Sequence, residues 1–89
     1  MKQDVRTATE VDGFVGAQLK ALRKSAGLSQ TNLATQVGVT FQQIQKYERG
    51  ANRIGASRLW QLCKVFDVSP ERFFDGVEAH LAELQAAEI

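Results

Sequence analysis

The stretch from Leu28 to Gly50 limits what this chain can fold into, because its caps and glycines suit two short helices joined by a tight turn. Ser29 can cap the first helix, since its hydroxyl can accept a hydrogen bond from one of the N–H groups that a helix start leaves unpaired. Gly38 can adopt the positive φ that ends a helix. The sequence therefore predicts a first short helix that stops at Gly38.

Thr40 and Gln43 mark the start of the next helix. Their T-x-x-Q spacing is that of a capping box, in which each side chain satisfies one unpaired backbone N–H. Gly50 supplies the matching C-terminal stop. We therefore predict a second short helix from about Thr40 to Arg49.

The two sides of this second helix differ when its residues are placed about 100° apart. The inner side carries Thr40, Ile44, Tyr47 and Glu48. The outer side carries amides, cations and one aromatic ring but no acid, namely Phe41, Gln42, Gln45, Lys46 and Arg49. Amides can bond adenine, cations can bond guanine, and apolar groups can touch the thymine methyl. The outer side therefore matches DNA, with an ordinary solvated polar surface as the alternative.

The segment resembles the helix-turn-helix of the Xre-like family of bacterial regulators, the class of Cro and the phage repressors. The resemblance covers about Val15 to Phe74 and is carried by Arg23, Gln30, Leu33, Ala34, Gly38, Val39, Ile44, Tyr47, Glu48 and Gly50. It implies an all-α fold, with a compact five-helix repressor-type domain followed here by a short C-terminal amphipathic helix. It also implies double-stranded DNA as the partner and no cofactor.

Side-chain chemistry and the resemblance together predict the DNA contacts. We expect base edges to be read by Phe41, Gln42, Gln45 and Lys46. We expect phosphates to be contacted by Gln30, Thr40, Gln43, Arg49, Asn52 and Arg53. The last two lie in a short polar connection after the second helix, where loop residues commonly bind and where ordinary turn chemistry is the alternative.

Arg23 and Glu48 are expected to form a structural ion pair, because the resemblance implies that this pair ties the first helix of the domain to the recognition helix. Glu48 is the only acid between Gly13 and Phe66. The alternative for a lone glutamate is exposure to solvent. Its place beside the apolar side of its helix favours the pair.

Charge is distributed unevenly along the chain. The formal net charge is only +1, but residues 13–66 carry eight cations against one acid, whereas residues 67–89 carry six acids against one cation. A basic block of this kind favours contact with DNA phosphates. The sequence therefore predicts a basic DNA-binding domain over residues 12–75, followed by an acidic tail.

The flanks of the motif provide the rest of the core. We expect residues 1–11 to form a mobile N-terminal arm and Asp12 to cap a helix whose buried stripe is Val15, Leu19, Leu22 and Ala26. A later helix from Ala56 to Phe66 should bury Leu59, Leu62, Cys63 and Phe66. Ser69 and Pro70 then suit the start of a fifth short helix.

Residues 76–89 form a possible dimerisation segment. Val77, Leu81 and Leu84 make one apolar stripe on a short helix that needs a surface to cover it. That surface can be the chain's own domain or a second copy, and both readings stay open. Trp60 on the flank of the preceding long helix is another possible dimer contact, with packing at the domain edge as the alternative.

Catalytic and metal chemistry have little support in this sequence. The one cysteine, Cys63, lies in an apolar helical register, and the one histidine, His80, has no partner at metal-ligand spacing. No apolar run approaches the roughly 20 residues that span a bilayer, and the first residues are too polar for a signal peptide, so we expect a cytoplasmic protein. An enzyme and a metal site are therefore not predicted.

The predicted function is sequence-specific binding of double-stranded DNA by a homodimeric transcriptional regulator. Repression by blocking promoter access is what the resemblance implies. The alternative is an antitoxin or another protein-binding regulator, in which the acidic C-terminal helix binds a partner protein. The basic block argues against a purely protein-binding module but not against one with both functions.

Overall fold

A computed structural model describes residues 5–87, with the side chain of Val5 left out, and it is helical throughout its regular elements. In chain order these are α1 (Val5–Ser25), α2 (Gln30–Val37), α3 (Phe41–Glu48), α4 (Ala56–Phe66), a 3-10 helix (Pro70–Phe74) and α5 (Val77–Ala87). Within the described range there is no strand. The predicted all-α fold of five helices and a C-terminal helix is confirmed.

The caps of α2 and α3 follow the sequence pattern. Ser29 accepts a hydrogen bond from the Asn32 N–H and Thr40 accepts one from the Gln43 N–H. Gly38 adopts a φ of 74°, the left-handed conformation that stops α2. The reciprocal half of the expected capping box, in which the Thr40 N–H would donate to the Gln43 side-chain oxygen, is absent among the hydrogen bonds of the described residues. Thr40 therefore caps α3 without that second bond.

Helix α1 is longer than expected and corrects two predictions. It begins at Val5, so residues 5–11 are helical rather than part of an arm, and Asp12 lies inside the helix instead of capping it. An i,i+4 ion pair between Arg6 and Glu10, with 3.4 Å between Nε and Oε1, supports this early part of the helix. Residues 1–4 of the expected arm lie outside the described residues.

The hydrophobic core lies where all the helices before α5 meet. Its fully buried large side chains come from α1, α2, α3, α4 and the 3-10 helix, and they are Leu19, Leu33, Ile44, Leu62 and Phe73. Burying one such side chain contributes about 1.5–3 kcal/mol. Ala26, expected in the buried stripe of α1, lies beyond the end of that helix and is exposed. Arg23 is buried near the end of α1 instead.

Helices α1 and α3 approach each other closely through glycine. A Cβ atom added at Gly16 would collide with the backbone carbonyl oxygen of Tyr47. A Cβ added at Gly50 would lie 2.6 Å from the Cα of Gly13, and Gly50 itself has a φ of 71°. The backbone of α1 therefore lies directly against the last turn of α3, which limits how α3 can be oriented.

The C-terminal helix α5 lies against α1. The rings of Phe14 in α1 and His80 in α5 have centroids 5.2 Å apart. No residue of α5 is fully buried, and Val77, Leu81 and Leu84 are half-buried. Of the two surfaces considered for this stripe, the chain's own domain covers part of it. Its use in a dimer stays a prediction.

Candidate nucleic-acid interface

The outer side of α3 is open to solvent. Phe41 is 42% exposed, which is high for a large apolar side chain, and Gln42 and Lys46 are exposed as well. Ile44, Tyr47 and Glu48 are buried on the opposite side. The helix therefore presents an aromatic ring, an amide and a cation to solvent, while its inner side is buried in the domain.

A buried ion pair joins the inner side of α3 to α1. Arg23 Nε donates to Glu48 Oε2 at 2.6 Å and Arg23 Nη2 donates to Glu48 Oε1 at 3.1 Å, so the two groups meet in the bidentate geometry that charged forks prefer. Their side chains are only 10% and 3% exposed. The hydrogen bonds to Glu48 raise the pKa of the Arg23 guanidinium against the opposing effect of burial. The pair expected from the resemblance is present.

This ion pair extends into α2 and the turn before it. Arg23 Nη1 donates to the Leu28 carbonyl oxygen at 2.9 Å, and Gln30 Nε2 donates to Glu48 Oε1 at 3.1 Å. No buried side-chain nitrogen or oxygen lacks a partner in the part of the chain that the structure describes. The network therefore links α1, α2 and α3 without an unsatisfied group, the condition under which buried polar contacts rigidify a fold.

A polar cleft opens above this network. It has a volume of about 260 Å³ and is lined by Lys20, Gln30, Gln45, Glu48 and Arg49. Gln45 is half-buried at this edge, so it is less accessible than Gln42 and Lys46 of the same helix. Lys20 was not among the predicted contacts, although it adds a cation from α1. The cleft thus brings two predicted phosphate residues, Gln30 and Arg49, beside a second cation, Lys20.

The start of α3 carries the other predicted polar contacts of the motif. Thr40 is exposed, and its hydroxyl oxygen accepts a hydrogen bond of 3.2 Å from the Gln43 N–H. That bond leaves the hydroxyl hydrogen of Thr40 able to donate to another acceptor. Gln43 itself is half-buried, so the structure gives it less access to a ligand.

The loop after α3 is held by backbone hydrogen bonds at its start and by a side-chain contact at Arg53. The N–H groups of Ala51 and Asn52 donate to the Lys46 carbonyl oxygen at 2.9 and 3.3 Å, which closes the last turn of α3. In the next residue, Arg53 Nε donates to both carboxylate oxygens of Asp12 at 3.1 Å each. These hydrogen bonds raise the pKa of the Arg53 guanidinium. Asn52 and Arg53 are exposed on this anchored loop.

The possible dimer contacts lie on α4 and α5, which contribute no residue to the hydrogen bonds of Glu48. Trp60 on α4 is 60% exposed, and the Lys64 ammonium nitrogen sits 5.4 Å from its ring centroid, within the usual range for a cation–π contact. The same helix is held to α2 by Arg58, whose Nη1 donates to the Val37 carbonyl oxygen at 2.8 Å. Trp60 is therefore a large apolar side chain on a well-anchored helix.

The thiol of Cys63 lies in the interior of the domain. Cys63 is buried in the core, and burial raises the pKa of its thiol, which disfavours the reactive thiolate. Across residues 5–87 no group of three or more potential metal ligands comes together. None of the helices described is both long enough and apolar enough to cross a membrane.

The geometry defines the class of this domain. Two short helices, α2 and α3, are joined by a tight turn, and the second presents an open polar face, which is the helix-turn-helix arrangement. The helix-turn-helix family HTH_3 matches residues 19–73. The chain belongs to this family, and the resemblance to Xre-like regulators is confirmed. The match lies within the span predicted for the DNA-binding domain.

Two sequence relatives are named as transcriptional regulators, which agrees with the helix-turn-helix class. A transcriptional regulator encoded in the ATPase CF(0) region of Rhodospirillum rubrum is 47% identical over 77 residues, covering 86% of this chain and 71% of that protein. The regulator y4wC of Sinorhizobium fredii is 46% identical over 74 residues, covering 83% of this chain and 52% of that protein. This chain therefore spans about half the length of y4wC.

A solved structure shares the fold. The restriction-modification controller protein C.AhdI from Aeromonas hydrophila superimposes with a TM-score of 0.65 at 28% identity, covering 68% of this chain and 92% of that one. At the level of the family, the predicted function class, a DNA-binding transcriptional regulator, is confirmed.

Proposed function

We propose that this protein binds double-stranded DNA in a sequence-specific manner by inserting α3 into the major groove. The observation that carries the proposal is the contrast between the two sides of α3. Its outer side exposes Phe41, Gln42 and Lys46, while its inner side is locked to α1 and α2 through Glu48. A rigid helix with amide and cationic side chains outward suits the donor and acceptor pattern of base edges.

Each residue of the outer side has a proposed role. Gln42 and Lys46 bond base edges, Phe41 contacts thymine methyl groups, and Gln45 reaches the groove from the edge beside the polar cleft. Phosphates are contacted around the cleft and the start of α3, by Gln30, Thr40, Gln43 and Arg49. The loop residues Asn52 and Arg53 contact further phosphates. These contacts fix the register of the helix, while the base contacts select the sequence.

We also propose that the protein acts as a homodimer and represses transcription by occupying promoter DNA. One helix-turn-helix reads only a few base pairs, and two half-sites supply the selectivity that a genome requires. The exposed Trp60 and the half-covered stripe Val77, Leu81 and Leu84 are the proposed contacts between subunits. Acidic residues around that stripe keep the second surface away from DNA.

Selection of tight-binding duplexes from a random-sequence pool tests the proposal directly. We expect the wild-type protein to enrich an inverted repeat whose half-sites are centred about one helical turn, or roughly 34 Å, apart. Footprinting on the enriched duplex should then show protection of both half-sites. A pool that remains random after repeated selection would contradict sequence-specific binding.

Salt titration on the same duplex measures the phosphate contacts. We expect the logarithm of affinity to fall linearly and steeply with the logarithm of salt concentration, because each neutralised phosphate releases condensed counterions. The motivation is the excess of seven positive charges over residues 13–66. Affinity that does not change with salt would exclude the proposed contacts of Arg49 and Arg53.

A further inference from the structure

Asp12 and Arg53 form a contact that the helix-turn-helix motif does not explain. Asp12 lies in α1, upstream of the family match that begins at residue 19, whereas Arg53 lies in the loop after α3. Arg53 Nε bonds both oxygens of the Asp12 carboxylate at 3.1 Å. The Asp12 side chain is 17% exposed and that of Arg53 is 66% exposed. The mostly buried carboxylate of Asp12 thus holds the Nε end of the exposed Arg53 guanidinium.

The backbone around this contact is fixed on both sides. The neighbour of Asp12, Gly13, is the residue against which Gly50 packs at the start of the loop. The loop also bonds back to the last turn of α3 through the Ala51 N–H. Asp12 therefore holds Arg53 from a part of α1 whose position relative to the loop is already determined.

The hydrogen-bonding pattern leaves the outer end of Arg53 available. The single N–H of Arg53 Nε is shared between the two Asp12 oxygens, and neither terminal nitrogen bonds to protein within residues 5–87. Those two nitrogens are the planar fork that binds phosphate in a bidentate manner. A carboxylate that bonds Nε orients this fork without occupying it.

We propose that Asp12 is a positioning residue for DNA binding, which holds the Arg53 guanidinium ready to contact a backbone phosphate. This inference rests on the proposed DNA-binding function and adds to it a contribution from α1 outside the helix-turn-helix motif. Ordering a long side chain on binding costs conformational entropy, and a side chain that is already ordered avoids that cost. Asp12 therefore strengthens DNA binding although it is an acid.

The direction in which Asp12→Asn changes DNA affinity separates this positioning role from simple charge repulsion. If Asp12 acted only through its negative charge, Asp12→Asn would tighten DNA binding, since one repulsion with the phosphates would be removed. If Asp12 positions Arg53, the same substitution weakens binding because the guanidinium becomes mobile. We expect a loss of about three- to tenfold, which is the affinity equivalent of ordering one side chain.

Glu10→Gln is the matched control. Glu10 is on the same helix two residues earlier, and its carboxylate pairs with Arg6 rather than with the loop. Its substitution removes the same charge without releasing Arg53, so affinity should stay the same or rise slightly. Thermal unfolding of both variants, followed by circular dichroism, should show that each is folded at the temperature of the binding assay.

A double-mutant cycle on the selected duplex completes the test. We expect Arg53→Ala to weaken binding, and Asp12→Asn to cause no further loss when Arg53 is already Ala. Tighter or unchanged binding by Asp12→Asn alone would overturn the inference, as would an equal loss in the Arg53→Ala background. If the wild-type protein still selects its duplex, either result would refute the role of Asp12 but not the proposed DNA-binding function. A wild-type protein that selects no duplex would instead refute that function.

Discussion

Glu48 joins three helices through one carboxylate. It accepts hydrogen bonds from Arg23 in α1 and from Gln30 in α2, while it is itself part of α3. Bringing a carboxylate and a guanidinium out of water carries a desolvation cost that the pair's attraction must offset, so its clearest role is to set orientation. The buried carboxylate therefore determines where α3 presents its outer side.

Substituting Glu48 by Ala should destabilise the protein strongly. The change leaves the Arg23 charge buried without its partner and removes the acceptor of Gln30, so we expect the free energy of unfolding to fall by about 3–5 kcal/mol. Urea unfolding followed by circular dichroism measures it. Glu10→Ala is the control, since it breaks a pair whose arginine side chain is 62% exposed and should cost at most about 1 kcal/mol. Equal losses for the two variants would contradict the structural role of the buried pair.

At the scale of elements, the contact between α1 and α3 depends on small residues. Gly16 is buried with the Tyr47 carbonyl oxygen directly over the position where a Cβ would lie. Gly13, one turn earlier, has open space around the corresponding position. The same substitution at these two sites in one helix therefore has opposite expected effects.

Gly16→Ala should lower stability by about 1–3 kcal/mol or more, because the added methyl group forces the helices apart. Gly13→Ala should raise stability by about 0.5–1 kcal/mol, because alanine is the better helix former. Both changes can be compared through their urea unfolding midpoints. A stabilising Gly16→Ala would mean that the two backbones are not in close contact.

Local signals predicted much of the architecture. The hydroxyl caps Ser29 and Thr40 and the stop at Gly38 act within a few residues, so the sequence locates α2 and α3 closely. The contacts of Asp12 and Lys20 were not predicted, because they depend on which distant residues the fold brings near α1. The early start of α1 was missed since its first turns lack a strong apolar stripe.

At the scale of the whole molecule, α5 is the element with the least burial. It contacts α1 yet has no fully buried residue, whereas Leu19, Leu33 and Ile44 of the core are completely buried. Removing residues 76–89 should therefore leave the core folded. If the proposed dimer uses this helix, the truncated protein should also lose operator affinity, because two half-sites would no longer be held by one assembly.

Sedimentation of full-length and truncated proteins, alone and on operator DNA, measures this effect, with circular dichroism as the folding control. Trp60→Ser tests the second candidate dimer contact independently of α5. Because the ring is 60% exposed, its loss should change assembly more than stability. Full-length protein that stays monomeric even on operator DNA would show that the dimer proposal is wrong.

In the proposed complex, the outer side of α3 reads base sequence while the loop after it binds phosphate. Binding of wild-type, Gln42→Ala and Arg53→Ala proteins to a panel of single-base variants of the selected duplex tests it most directly. We expect Gln42→Ala to lose discrimination at one position, by about 1–3 kcal/mol, and Arg53→Ala to weaken binding to every duplex alike. Identical profiles for the two variants across the panel would contradict the account.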